Sequence, residues 1–270
     1  MRLTNISGIL VENNVLNSEW LQRDVKVDCY LPCNVAEPSQ LNLLLINDGQ
    51  NMEELGLEKI LEQLYADNAI EPLLCVAIHA GEERKMEYGV AAQTDYLGRG
   101  AKAKDYTHFI LEELLPFIYK QYNILSFKEK AFAGFSLGGL SALDIVWGHP
   151  TEFSKAGIFS GSLWWRSIDQ TEDGYDDDKH RIMHQQIRSS NYKPGLKFFL
   201  QCGNKDETKD RNNNGIIDSI DDTIDLVKEL KAKGYDEVND IYYLEMSDGA
   251  HDIPTWGRAM PVFLKWGWGK

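Results

Sequence analysis

The sequence lacks the features that would assign it to several large classes of protein. Its 270 residues contain no apolar run long enough to cross a bilayer, and the N-terminus has no apolar signal core. No internal repeat or low-complexity tract is present, which argues against a solenoid or a disordered array. We therefore expect one soluble domain over residues 1–270, cytoplasmic or secreted with its signal already removed.

Cysteine and positive charge are both scarce. The chain has four cysteines, and its 28 Lys and Arg residues stand against 42 Asp and Glu residues, for a net charge of -14. The cysteines do not have the spacing of a metal site, and Cys75 and Cys202 lie in apolar runs, which indicates buried thiols in a reducing compartment. The acidic balance argues against nucleic acid and anionic membranes as partners, but it identifies neither the substrate nor the oligomeric state.

Short apolar runs alternate with amphipathic segments along most of the chain. Residues 25–31 alternate between apolar and polar side chains, and residues 6–16 are expected to form an edge strand or a hairpin arm. Six apolar runs, typical of strands buried on both faces, follow at residues 41–46, 73–78, 130–135, 156–159, 196–202 and 241–246. Helical periodicity between them predicts an α/β fold, with a mostly parallel central sheet and helices on both faces.

The third of these runs ends in the pentapeptide Gly134-Phe135-Ser136-Leu137-Gly138, and a predicted helix follows it. A strand, a sharp turn with Ser at its tip and a helix make up a nucleophile elbow. Glycines leave room where the start of the helix passes close to the strand, and the strained serine backbone lifts the hydroxyl clear of the sheet. Ser136 is therefore the candidate nucleophile.

A serine hydroxyl needs a base to become a nucleophile, and the rest of the chain supplies one. In α/β-hydrolases the serine is followed by an acid and then by a histidine, each on a loop after a strand. Asp206, with Glu207 beside it, follows the fifth apolar run, and His251 follows the sixth. We predict a catalytic triad of Ser136, Asp206 and His251, with Glu207 as the alternative acid.

The oxyanion of a tetrahedral intermediate is stabilised by two backbone N–H groups. One is expected from Leu137, the residue after the nucleophile. The other is expected from Gln50, with Asn51 as the alternative, in the loop after an early strand. An ordinary turn is the other interpretation of that loop.

Three aromatic residues are candidates for substrate binding. Trp164 and Trp165 follow the apolar run 156–159, at the end of the sheet where ligands bind in open α/β folds. Tyr96 lies in a long polar connection, and loops of that length are often functional. Core packing is the commoner role of Trp and remains the alternative.

Seven segments over nearly the whole chain resemble an esterase family of α/β-hydrolases. The family includes esterase D (S-formylglutathione hydrolase), feruloyl and acetylxylan esterases, and enterochelin-type siderophore esterases. The matching segments, in the family's order, are Leu44-Leu45-Ile46-Asn47-Asp48-Gly49, Glu113-Leu114-Leu115-Pro116, Ala133-Gly134-Phe135-Ser136-Leu137-Gly138-Gly139, His149-Pro150-x-x-Phe153, Ser160-Gly161-Ser162, Cys202-Gly203-x-x-Asp206 and Gly249-Ala250-His251-Asp252.

The resemblance implies a small-molecule or carbohydrate-linked ester as substrate, such as a feruloyl or acetyl carbohydrate ester or a siderophore ester, and no organic cofactor. Two departures leave the substrate class open. Asn47-Asp48-Gly49 replaces the His-Gly of many members and is closer to the Asp-Gly of siderophore esterases. The loop after Asp206 is longer than in feruloyl esterases.

That longer loop contains a second motif. Residues 210–221 match the twelve-position EF-hand calcium pattern, with glycine at position six and an aliphatic residue at position eight. The candidate calcium ligands are Asp210, Asn212, Asn214, Ile216, Asp218 and Asp221. The alternative is an Asn/Asp-rich turn that caps the following helix. We predict a structural calcium ion that holds the segment containing Asp206.

These motifs support two functions of different kinds. The first is a serine carboxylic-ester hydrolase that acts through an acyl-enzyme on Ser136. The second is a non-catalytic, calcium-dependent binding module on a hydrolase fold, with Trp164 and Trp165 as exposed contact residues. The presence of Ser, acid and His in the expected order favours the esterase.

Overall fold

A computed structural model describes residues 8–35 and 41–270, and an eight-stranded sheet runs through them. The strands in chain order are β1 (Ile9–Ser18), β2 (Arg23–Pro32), β3 (Asn42–Asn47), β4 (Leu73–Ile78), β5 (Lys130–Phe135), β6 (Lys155–Phe159), β7 (Lys197–Lys205) and β8 (Ile241–Ala250). Their spatial order is β1-β2-β4-β3-β5-β6-β7-β8. The predicted start of the first strand at Ile6 lies outside the described residues.

The pairing of the strands confirms a mostly parallel sheet. β1 and β2 pair antiparallel, as do β2 and β4, whereas all neighbours from β4 to β8 are parallel. Every residue of β3, β4 and β6 is buried, as their apolar composition predicts for strands covered on both faces.

Helices cover both faces of this sheet. They are α1 (Met52–Leu55), α2 (Leu57–Ala66), α3 (Arg84–Glu87), α4 (Ala103–His108), α5 (Leu115–Gln121), α6 (Leu137–Gly148), α7 (Asp177–His180), α8 (Ile182–Ser189), α9 (Asp218–Lys233) and α10 (Ile253–Trp268). On one face, Leu140 of α6 shares a buried cluster with Phe132 of β5. On the other, Phe263 of α10 shares a second cluster with Phe135. Within the described ranges, no helix is long and apolar enough to cross a membrane.

The last two strands are longer than their apolar runs indicate. β7 continues to Lys205 and β8 to Ala250, and a register shift between Gly203 and Lys205 lets Lys205 pair with Ala250. The predicted loop from residue 247 is therefore strand as far as Ala250. Cross-strand hydrogen bonds at this edge override the turn tendency of Asp248 and Gly249. As a result, Asp206 and His251 leave neighbouring strands at the same level.

Candidate active site

Ser136 lies at the sharp turn between β5 and α6, as the elbow motif predicts. Its backbone has φ 53° and ψ -122°, a conformation that non-glycine residues rarely adopt. The turn is held because the Ser136 N–H donates to the carbonyl of Phe159 on β6 at 2.8 Å, and the Ser136 carbonyl accepts from Ser162 N–H at 3.0 Å. The tip of the elbow is thus fixed to the neighbouring strand and to the loop after it.

The glycines on either side of Ser136 are required by close backbone approach. A Cβ on Gly134 would overlap the backbone carbonyl of Gly138, because the first turn of α6 passes directly over the end of β5. A Cβ on Gly138 would lie 2.7 Å from a carboxylate oxygen of Asp48. Neither φ is positive, so the requirement at both positions is steric rather than conformational.

Ser136, Asp206 and His251 line one cavity of about 240 Å³, which we call the inner cavity. The other lining residues are Ser160, Gly161, Ser162, Trp164, Glu207 and Ser219. The Ser162 hydroxyl lies 3.4 Å from the Ser136 hydroxyl. The fold therefore brings the three predicted triad positions, and the alternative acid, to one site at the carboxyl end of the parallel strands.

The carboxylate of Asp206 is held by one oxygen only. Its Oδ2 accepts a hydrogen bond from the backbone N–H of Gly203 at 3.1 Å. Its Oδ1 is buried and has no hydrogen-bond partner among the described residues. Burial raises the pKa of Asp206, while the Gly203 N–H, the hydroxyl of Ser160 and a positive charge on His251 act in the opposite direction. The Ser160 hydroxyl lies close to this carboxylate, and the buried Oδ1 can accept a further hydrogen bond.

His251 lies in the short turn between β8 and α10. Asp252 fixes this turn, because its side chain accepts from the Thr255 N–H at 2.9 Å and caps the helix. The imidazole is part of the lining of the inner cavity and meets the ring of Trp256 edge to face, with centroids 5.3 Å apart. Desolvation in the cleft lowers the pKa of His251, and the nearby Asp206 only partly offsets this effect. A neutral imidazole can accept a proton.

Glu207, the alternative acid, also lines the inner cavity but has a different environment. Its pKa is raised by burial first, and then by repulsion from Asp218 and Asp222. It lies two residues beyond the Lys205–Ala250 pair, whereas Asp206 and His251 each lie one residue beyond it. The geometry therefore favours Asp206, while Glu207 faces the polar loop after it.

The turn after β3 contains Gln50, the second predicted oxyanion donor. Residues Gly49–Asn51 form a 3-10 turn, and the side chain of Gln50 accepts from the Ala80 N–H at 3.0 Å. That side chain lines a separate cavity of about 590 Å³ that also contains His79, outside the inner cavity. The roles of the backbone N–H groups of Gln50 and Leu137 stay predictions.

Arg84 was not singled out by the sequence motifs, yet it lies beside the elbow. Its guanidinium forms a two-pronged ion pair with the buried Asp48, at 2.6 Å and 2.7 Å. A third contact, 3.5 Å long, reaches the carbonyl of Phe135, the residue before Ser136. The sequence signal for this contact is Asp48 in the Asn47-Asp48-Gly49 motif. A carboxylate at a buried position predicts a cationic partner, because a buried carboxylate is rarely left unpaired.

The three candidate aromatic residues have different positions. Trp164 is half-buried and lines the inner cavity, whereas Tyr96 lines a neighbouring cavity described below. Trp165 is fully buried, and its ring packs against Gly89 and Gly100. The prediction that Trp165 contacts substrate is therefore corrected: its role is core packing, the alternative that the sequence left open.

A second cavity of about 270 Å³, the outer cavity, adjoins the inner one. Trp164 and Glu207 line both cavities. The remaining residues of the outer cavity are mostly charged or polar, namely Tyr96, Arg99, Arg166, Gln170, Lys209 and Asp218. The site therefore has a compartment around Ser136 and a charged compartment beside it.

Four of the candidate calcium ligands lie close together just before and within the first turn of α9. One carboxylate oxygen of Asp221 accepts from the side-chain amides of Asn212 at 2.9 Å and Asn214 at 2.8 Å. The carboxylate of Asp210 accepts from two backbone N–H groups of the loop, at 3.1 Å and 2.9 Å. Carboxylate and amide oxygens are the ligand types that calcium prefers, although both amide side chains here turn their NH2 groups toward Asp221.

The other two candidate ligands are placed less favourably. Asp218 is buried and accepts from the backbone N–H of Arg211 at 2.7 Å, and Ile216 is 39% exposed. In the described part of the chain, no group of three or more His, Cys, Asp or Glu side chains is arranged to hold a metal. A cation in this loop would thus depend on amide and carbonyl oxygens as well, and calcium stays a prediction.

Comparison with known proteins places this site in context. The family profile described as "Putative esterase" matches residues 18–266. A relative, Uncharacterized protein YbbA of Bacillus subtilis, is 24% identical over 249 residues, which cover 89% of this chain and 91% of YbbA.

Two solved structures have similar folds. A ferulic acid esterase aligns with a TM-score of 0.68 at 19% identity, over 96% of this chain and 97% of that one. The enterobactin esterase of Shigella flexneri, crystallised with 2,3-di-hydroxy-N-benzoyl-glycine, aligns with a TM-score of 0.69 at 20% identity. That alignment covers 95% of this chain but only 58% of the Shigella protein. The architecture is that of the α/β-hydrolase esterases.

Proposed function

The chain belongs to the esterase family that the profile describes, and from this premise we propose that it hydrolyses carboxylic esters through an acyl-enzyme on Ser136. One observation supports the mechanism above the others. Ser136, in its strained backbone conformation, shares the inner cavity with Asp206 and His251, which follow two strand ends that pair at Lys205 and Ala250.

In the proposed acylation step, His251 accepts the proton of the Ser136 hydroxyl as the oxygen attacks the ester carbonyl carbon. The resulting imidazolium then donates this proton to the leaving alkoxide, and the acyl group stays on Ser136. Asp206 positions the ring and stabilises its positive charge through the oxygen that has no other partner. Water, activated by His251, releases the acid in the second half of the reaction.

The oxyanion is stabilised by the backbone N–H groups of Leu137 and Gln50 in this proposal. Leu137 is the first residue of α6, so its N–H is one of the free donors at a helix start. Arg84 is held in place by its ion pair with Asp48 and adds positive charge beside the elbow. It is not the base that accepts the proton of Ser136 in this proposal.

For the substrate, we propose an ester with an aromatic or carbohydrate-linked part. Support comes from Trp164 in the inner cavity and from the substrates that the names of the two similar structures give, ferulic acid esters and enterobactin. No observation favours the non-catalytic calcium-dependent module, so we do not propose it.

A panel of esters tests this function. Wild-type protein is incubated with p-nitrophenyl acetate, methyl ferulate and a catecholate siderophore ester, and product release is followed for each. We expect saturable hydrolysis of at least one ester, with a release that does not require an added cofactor. Failure to hydrolyse any of the three by folded protein, with and without calcium, would contradict the proposal and revive the binding module.

A further inference from the structure

We propose that the substrate of this esterase bears a second, negatively charged group, a carboxylate, and that the outer cavity binds it. The inference rests on the proposed function, because it assumes that an ester occupies the inner cavity. Trp164 and Glu207 form part of the wall of both cavities, so one molecule can reach from Ser136 into the outer cavity.

Arg166 is the main reason to expect an anion there. Its guanidinium lies against three aromatic rings, with distances to their centroids of 5.8 Å for Tyr96, 5.9 Å for Trp164 and 5.8 Å for Tyr175. It forms no ion pair with any acid in residues 8–35 and 41–270, and its Nε is buried without a hydrogen-bond partner there. Burying part of a guanidinium while its N–H donors lack acceptors costs folding free energy, and a bound ligand that accepts hydrogen bonds from them would remove this cost.

A second cation, Lys209, stands at the same cavity without an ion pair to any described residue. The third, Arg99, is already neutralised, because its Nε donates to the buried carboxylate of Asp95 at 2.6 Å. Arg99 also lies over the ring of Trp164 at 4.9 Å, which fixes that ring as a wall of the site.

The acids near the outer cavity offset these positive charges only in part. Asp218 is paired with Arg211, whose Nη1 lies 3.4 Å away. Asp169, on the loop beside Arg166, accepts from the backbone and hydroxyl of Thr171 at 2.9 Å and lies beyond ion-pair distance of Arg166. Among the described residues, Glu207 and Asp169 are thus the acids whose charges act on the two unpaired cations, Glu207 on Lys209 and Asp169 on Arg166, and neither acid forms an ion pair with them.

The shape and chemistry of the cavity fit a carboxylate on a flat or extended carbon skeleton. Aromatic walls accept the skeleton, and the planar guanidinium of Arg166 can donate two parallel hydrogen bonds to a carboxylate. The ammonium of Lys209 contributes a less directional attraction. The net charge of the whole protein would repel an anion, so a preference for an anionic ester requires a local site of this kind.

Matched pairs of esters test the inference. On the acyl side, mono-4-nitrophenyl glutarate is compared with the neutral 4-nitrophenyl pentanoate; on the alcohol side, 4-acetoxybenzoate is compared with its methyl ester. We expect kcat/KM for the anionic member of one pair to exceed that of its neutral partner by about tenfold, the size of one charge-assisted hydrogen bond. The preference should shrink as sodium chloride is raised.

Arg166→Gln and Lys209→Gln should each lower the ratio of anionic to neutral kcat/KM, and the double variant should abolish the preference. Lys120→Gln, which removes an exposed cation on α5 away from both cavities, should leave the ratio unchanged. Equal or better hydrolysis of the neutral esters in both pairs would overturn the inference while leaving the esterase intact.

The same comparison can be made without turnover. In the Ser136→Ala protein, the anionic ester should bind about tenfold more tightly than the neutral one, and Arg166→Gln should remove this difference. Equal affinity for both esters would overturn the inference, whatever the result for hydrolysis. Hydrolysis of no ester by wild type, combined with tighter binding of the anionic ester, would refute the proposed function instead.

Discussion

The elbow and the polar segments beside it are stabilised in opposite ways. The elbow, β5 with Ser136 and α6, is apolar, and its geometry follows from glycine sterics and from packing on both faces of the sheet. The second region, which we call the polar cap, comprises residues 164–192 and 206–225. It contributes Trp164, Arg166 and Glu207 to the two cavities and contains a buried network of charges.

Two arginines and an aspartate form the centre of that network. Arg181, 1% exposed, donates to Asp222 at 2.7 Å and to Asp225 at 2.8 Å. Arg211 donates to the same Asp222 at 2.6 Å and to Asp177 at 2.9 Å. These contacts join the helical segment before β7 to helix α9 and to the loop between β7 and α9. The placement of Ser136 thus depends on packing, whereas the walls of the two cavities depend on charge pairing.

The largest expected effect comes from a substitution that removes the reactive hydroxyl of the elbow and leaves its packing intact. Ser136→Ala removes the attacking oxygen but no core contact, so the melting temperature should be nearly unchanged. Turnover of the best ester should fall on the order of a millionfold, as for other serine hydrolases that lose a triad member. Steady-state kinetics with active-site titration measures this, and a rate within about tenfold of wild type would contradict the role of Ser136.

The next effect comes from breaking the polar cap. Asp222→Ala leaves the buried guanidiniums of Arg181 and Arg211 without their shared partner, which should cost roughly 3–5 kcal/mol of unfolding free energy. Urea denaturation measures it. Glu237→Ala, at an exposed pair with Lys231, is the control and should cost less than about 1 kcal/mol. A similar small loss for both variants would show that the cap does not depend on its ion network.

Calcium, if bound, should stabilise the cap and not the elbow. Free calcium at about a hundred times its Kd would add roughly 2.7 kcal/mol to the unfolding free energy, so chelation with EDTA should lower the melting temperature. Chelation should also lower kcat more than it raises KM, because the loop follows the segment that contains Asp206. Calcium should restore both, and magnesium should do so poorly. Asp210→Ala should mimic chelation, whereas Asn213→Gly, at a non-ligand position with positive φ, should not. Indifference of metal-free protein to EDTA would reduce residues 210–221 to a turn.

Acid should also weaken the cap selectively through His184. This side chain is 1% exposed, its Nε2 lies 2.9 Å from the Asp222 carbonyl, and burial lowers its pKa to about 3 from the ordinary 6.5. The unfolded chain takes up the proton first, so stability is lost as the pH falls from 6.5 toward 3. Between pH 7 and pH 5 the loss from this group should be about 2 kcal/mol.

His184→Gln, which keeps a hydrogen-bonding group but cannot titrate in this range, is the matched variant. The difference in unfolding free energy between pH 7 and pH 5 should be smaller in the variant by that amount. An identical pH dependence in both proteins would contradict the assignment of His184 as a buried neutral imidazole.

The smallest expected effect concerns the base itself. Because the pKa of His251 is lowered, the imidazole stays neutral to a lower pH than a free histidine. In a plot of kcat/KM against pH, the midpoint of the acid limb should therefore lie below pH 6.5. Asp206→Asn should move that midpoint lower still, since the negative charge of Asp206 raises the pKa of His251. A wild-type midpoint above 6.5 would contradict this account of the site.

The contrast between the two regions also explains what the sequence could predict. The elbow is local: the spacing of Gly134, Ser136 and Gly138 is enough to specify it, and the apolar runs on either side define the strands. The proximity of His251 and Asp206 to Ser136 could be predicted because each residue follows a strand in a known order. Their alignment depends on the Lys205–Ala250 pairing, which joins residues far apart in the chain and shifts in register at Gly203.

The polar cap could not be predicted in the same way. Arg181 and Asp222 are 41 residues apart, and nothing in their neighbourhoods distinguishes a buried ion pair from two solvated charges. The two adjacent tryptophans after β6 show the same limit of sequence-based prediction. Trp165 is buried in the core, whereas its neighbour Trp164 lines a cavity. Long-range charge pairing and side-chain burial become visible only once the topology has placed the segments.

The central claim is that Ser136 is an activated nucleophile in the inner cavity, and covalent labelling tests it most directly. Folded protein is treated with a serine-reactive fluorophosphonate, and the adduct is located by intact-mass and peptide analysis. We predict one adduct per chain, on Ser136, and none in Ser136→Ala or in acid-unfolded protein. An unlabelled Ser136 in folded wild-type protein, or an adduct on a different serine, would contradict the claim.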